Sequence, residues 1–185
     1  MDGGWVRTSV AWAAPWLVGT LFLGAAEPPV RHLEHRRLRS AAVYLGTVTA
    51  IRRLGALDSL TAETQGRLEA TVALTKVLRA PAGVLPAAEV PVRFDSRAPE
   101  PEGDGFYTLA PGEAVLVFAD GFEPAYPREV LHGAPAALAA QVKALRGFVA
   151  GMDPATMRLH GLVAATRASQ VRLYDAALAA LAARR

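Results

Sequence analysis

The chain has 185 residues, is 52% apolar, carries a formal charge of +3 and contains no cysteine. That length supports one packed domain. The absence of thiols excludes disulfide staples, thiolate metal sites, a cysteine nucleophile and a lipid anchor on cysteine. The charge is unevenly spread, with residues 27–53 at +4, 54–129 at −6 and 130–185 at +5. Such a pattern describes a dipolar molecule with solvated faces.

Arg7 stands before an apolar run over residues 10–23, and Gly24, Ala25 and Ala26 follow before Glu27. A basic start, a short apolar middle and small residues before a cut predict a secretory signal peptide over residues 1–26, cleaved after Ala26. The run is shorter than the roughly 20 residues a spanning helix needs, and Pro15 interrupts it. The expected location is secreted or periplasmic, with no stable membrane insertion after cleavage. A retained N-terminal anchor is the alternative.

Residues 27–40 (EPPVRHLEHRRLRS) form a polar lead-in with at most a helical turn around Leu33 and Leu38. Residues 41–51 (AAVYLGTVTAI) are rich in β-branched and aromatic side chains and predict a strand, with Gly46 marking a bend or bulge. After a loop over 54–65, residues 66–78 alternate: Leu68, Ala70, Val72 and Leu74 share one face. The parity slips at Lys76, so the strand ends or bulges there. Val90, Val92 and Phe94 alternate around Pro91, and a proline that cannot donate to a ladder marks an edge strand. Residues 95–112 read as a long acidic loop. Residues 113–119 (EAVLVFA) are apolar on both faces, which predicts a buried strand, and a short strand is expected near Val130 and Leu131. From Pro135 the period becomes helical, through Leu138, Val142, Leu145 and Val149 to Gly151. Asp153 and Pro154 open a second helix carrying Met157, Leu159 and Leu162. Residues 168–183 form a third with a stripe of Val171, Tyr174, Leu178 and Leu181.

Strands first and helices last define an α+β fold. We expect a small antiparallel OB-like β-barrel over residues 41–134, followed by a C-terminal helical segment over 135–185.

Three stretches of this region resemble the netrin-like and tissue-inhibitor-of-metalloproteinase-like families of exported OB-fold domains. They are residues 43–51 (VYLGTVTAI), 70–81 (ATVALTKVLRAP) and 109–119 (LAPGEAVLVFA). The resemblance implies the barrel fold. Eukaryotic members of those families share a cysteine framework, and the inhibitors chelate a protease's metal through an N-terminal Cys. This chain is similar to a cysteine-free bacterial-type variant, so that mechanism does not carry over, and fold alone does not fix function.

No catalytic set assembles in the sequence. His32 and His35 lie three apart, whereas a metalloprotease helix wants His-Glu-x-x-His, so no metal site is expected there. Asp95, Glu100, Glu102, Asp104 and Glu113 offer oxygen ligands, but Pro99 and Pro101 break the alternation a calcium loop needs. Ser40, Ser59, Ser96 and Ser169 stand outside any Gly-x-Ser-x-Gly elbow, and no Gly-rich loop precedes a Lys and a helix to cradle phosphate. The acidic strand region repels a polyanion, so no nucleic acid partner is expected. The best contact residues are Phe106 and Tyr107 on the acidic loop, with Phe122 and Tyr126 after the fourth strand, because aromatics on loops of a rigid scaffold anchor interfaces. The expectation is an exported, non-enzymatic binding or interaction module without cofactor. It meets a protein or cell-envelope component through loops 54–65, 95–112 and 120–134. The alternative is a small metal-dependent or hydrolytic envelope enzyme.

Overall fold

The computed structural model describes residues 34–54, 66–96 and 108–183. Helix α1 (Glu34–Arg39) leads into strands β1 (Ala42–Arg53), β2 (Gly66–Arg79), β3 (Glu89–Ser96), β4 (Ala114–Ala119) and β5 (Glu129–Gly133). Helices α2 (Pro135–Gly151), α3 (Pro154–Leu159) and α4 (Ala164–Ala182) follow. The strands form one antiparallel sheet in the order β3-β2-β1-β4-β5. The α+β class read from the sequence is therefore correct.

β1 is central, and its pairing with β2 is irregular: register shifts fall between Val43 and Tyr44, Leu45 and Gly46, and Val48 and Ala50. Gly46 pairs with Leu74 while Leu45 pairs with Lys76, so β2 bulges at Thr75 instead of ending there. Each bulge adds twist and bends the ribbon. At the far edge, the Arg93 amide turns away from β2 to donate to the Ala125 carbonyl at 3.1 Å. Pro91 sits two residues earlier on the same edge, where its missing N–H breaks no ladder bond.

The sheet is apolar on both sides. Val43 and Leu45 of β1 and Ala114, Leu116 and Phe118 of β4 pack against Leu138, Val142, Leu145 and Val149 of α2 and Leu173, Tyr174, Ala177 and Leu181 of α4. The opposite face buries Tyr44, Val48, Val72, Val90, Val92, Phe94, Val115, Val117 and Val130 against one another. No helix among the described residues contributes to this second cluster, and the strands themselves curl around it. Leu109 and the half-buried Phe122 complete its cover.

The curl does not close into a barrel. Among the described residues β3 and β5 share no ladder, and the backbones meet across the gap at an isolated parallel bridge between Val92 and Ala125. Closure of the expected barrel is thus not observed.

Three further expectations change. Asp153 does cap α3, accepting from the Ala155 and Thr156 amides at 2.8 Å, but α3 spans six residues and Leu159 is 86% exposed. The buried stripe of α4 is Gln170, Leu173, Tyr174, Ala177 and Leu181, with Val171 and Leu178 only half-buried. The lead-in is not simply polar: Glu34 and Arg37 are buried. No helix among the described residues is long and apolar enough to cross a membrane.

Candidate functional site

Three polar or open features stand out, and they differ in what they leave available. The first is a buried cluster under α1. Arg37 donates through Nε to Glu129 Oε2 at 2.6 Å and through a second nitrogen to Glu129 Oε1, and its third nitrogen reaches Glu34 Oε2 at 2.9 Å. The Tyr174 hydroxyl donates to Glu34 Oε1 at 3.1 Å and accepts from Gln170 Nε2 at 3.1 Å. Arg79 donates to Gln170 Oε1 and to the Ser40 carbonyl. Burial, then the Glu34 charge, push the Tyr174 hydroxyl far above its ordinary range. Burial works against the Arg37 charge, but the Glu129 carboxylate outweighs it and keeps the guanidinium protonated. No buried side-chain nitrogen or oxygen among the described residues lacks a partner. The cluster is saturated and acts as a lock between α1, β2, β5 and α4.

The second feature pairs His132 Nδ1 with Glu113 Oε2 at 3.2 Å. Glu113 also accepts from the Ala110 amide, and Gln141 donates to the His132 carbonyl. Those bonds tie the 110–113 turn to β5 and β5 to α2. Glu113, considered above as a calcium ligand, is thereby engaged. Among the described residues no group of three or more His, Asp or Glu is placed to hold a metal ion.

The third feature is open. A groove of about 570 Å³ runs between the β2–β3 connection and the β4–β5 loop. Pro81, Val84, Leu85 and Pro86 form one wall, and Asp120, Phe122 and Glu123 the other. Local chemistry builds both walls. Gly83 adopts φ +76 in a turn closed by the Val84 amide on the Pro81 carbonyl, and two prolines stiffen it. Opposite, the Phe122 ring packs on Tyr44 with centroids 5.5 Å apart, and Arg128 pairs with Asp120. The Arg93–Ala125 hydrogen bond holds that loop against the β3 edge. The wall exposes apolar surface, with Leu85 94% and Val84 43% exposed, and Tyr126, next to the lining residue Ala125, is 52% exposed.

Of the four aromatic residues singled out from the sequence, Phe122 lines the groove and Tyr126 lies exposed two residues beyond Pro124 on the same loop. Phe106 and Tyr107 lie outside the described residues, as do His32, Glu100, Glu102 and Asp104, and most of loops 54–65 and 95–112. Val84 and Leu85 were not anticipated. Their signal is two apolar residues boxed between Gly83 and Pro86 with no strand or helix period to bury them. Compared with protein-family models, curated proteins and solved structures, the chain finds no match in any of the three.

Proposed function

We propose that this chain is an exported, non-enzymatic binding module that holds a protein or cell-envelope component in the groove between residues 81–87 and 120–125. The single observation carrying the proposal is the preformed groove whose wall exposes Leu85 and Val84, with the exposed Tyr126 next in sequence to its lining residue Ala125. Scattered exposed apolar residues are ordinary, but a cluster bordering a cavity marks an interaction surface. The walls are fixed by prolines, ring packing and an ion pair, so little ordering entropy opposes binding. The signal-like residues 1–26 support export.

We read the curled sheet as an OB-like barrel. The strand order and the parallel Val92–Ala125 bridge support that reading, since OB folds are five-stranded and only partly closed. The netrin-like resemblance of residues 43–51, 70–81 and 109–119 supports it from the sequence side.

The test compares residues 27–185 with a Leu85→Asp, Tyr126→Ser variant as baits against the host's envelope fraction. A component retained by the parent and lost from the variant, with both melting alike, is the expected result. Equal retention would place the binding surface elsewhere. Mass spectrometry of the protein from its host should show a start at Glu27, and an intact Met1 would contradict export.

A further inference from the structure

We infer that the groove takes an extended peptide segment presenting an arginine or lysine beside an apolar side chain. This rests on the binding-module reading and names the chemistry of the occupant. The groove lining contains Asp120 and Glu123 and no Lys, Arg or His. Asp120 is answered by Arg128, whose side chain is about a third exposed. Glu123 is exposed on the lip and makes no ion pair or hydrogen bond among the described residues.

An anionic ligand would meet uncompensated negative charge there. A purely apolar one would cover a carboxylate without replacing its water, which is unfavourable. A cation that also buries apolar surface satisfies both halves of the site. Arginine fits best, because its planar guanidinium forks onto a carboxylate and also stacks on an aromatic face. Phe122, anchored on Tyr44, supplies such a ring in the same wall.

The occupant is a peptide, not a small cation, because Leu85 and Val84 of the groove wall are 94% and 43% exposed. Only a ligand that carries apolar side chains beside its cation covers them.

The test is selection of phage-displayed random dodecapeptides on residues 27–185. The expected result is recovery of sequences with Arg or Lys flanked by apolar residues, bound by the parent and not by Leu85→Asp. For a recovered peptide, Glu123→Gln and a rise in NaCl from about 50 to about 500 mM should each weaken binding by about fivefold, the scale of one screened ion pair. Glu123 is exposed, so its substitution leaves the fold intact, and equal melting temperatures check this. Recovered peptides that are acidic or uncharged, yet lose binding to Leu85→Asp, overturn the cation inference and leave the groove as the binding site. Peptides indifferent to both Leu85→Asp and Glu123→Gln, or no enrichment at all, overturn the groove reading itself.

Discussion

At Gly46 the β1 backbone passes so close to β2 that an added methyl group would sit 2.3 Å from Val72 Cγ1 and 2.6 Å from the Ala73 carbonyl oxygen. The second neighbour is backbone and cannot swing aside. Gly46→Ala is expected to cost about 1–3 kcal/mol in urea unfolding, the range of an overpacked core, and a loss below about 0.5 kcal/mol would contradict the close approach. Glu69 makes a second residue-scale case. The hydrogen bond from Arg52 holds its carboxyl below the ordinary 4.5, Arg93 adds to it, and burial opposes both. The folded state thus favours the ionised form. Its stabilisation is complete above the unfolded value and disappears as pH falls through the lowered native one. Glu69→Gln should therefore be less stable than the parent at pH ~7, by about 0.5–1 kcal/mol for a partly exposed triad. The gap should shrink as pH falls below the ordinary carboxylate range, as measured by urea unfolding. A constant gap would mean that charge is not the cause. Gly46 was visible in the sequence as an interruption among β-branched residues. Glu69 was not, because both its partners lie on other strands.

At the scale of elements, local signals were the legible ones. Asp153 before Pro154 is a cap whose partners are two and three residues away, so sequence spacing suffices to find it. The inner strand β4 announced itself by being apolar at every position, and all six of its residues are buried. Helix α1 is the opposite case. Its sequence, EHRRLR, reads as a solvated segment, yet Arg37 is fixed by Glu129, 92 positions away, and Glu34 by Tyr174, 140 positions away. Arg37→Met would leave two buried carboxylates without a cation and should cost about 3–5 kcal/mol in urea unfolding. Adding Glu34→Gln and Glu129→Gln should recover much of that loss, since neutral amides carry no uncompensated charge. A single variant that unfolds like the parent would show that α1 is not locked to the core.

Over the whole molecule, two apolar clusters share the sheet as their common wall, one closed by helices and the other by the curl of the strands. α4 supplies Leu173, Tyr174, Ala177 and Leu181 to the first, and Gln170 and Tyr174 to the buried polar lock. Ending the chain after Leu162 should uncover both at once. The expected outcome is loss of cooperative thermal unfolding, because several buried apolar side chains at about 1.5–3 kcal/mol each exceed the margin of a typical domain. A truncated chain that still unfolds cooperatively near the parent's temperature would make the helical layer dispensable. The groove also belongs to this scale, since the β2–β3 connection and the β4–β5 loop become neighbours only when the sheet curls. The amino-acid order by itself determined the five strands, the edge position of β3, the cap of α3 and the presence of α2, because hydrophobic period, glycine and proline act over a few residues. Only the tertiary structure decided the buried charges of α1, the open gap between β3 and β5 and the cavity beside Leu85. Each depends on residues far apart in the chain being brought together by packing, and no local pattern encodes such a meeting.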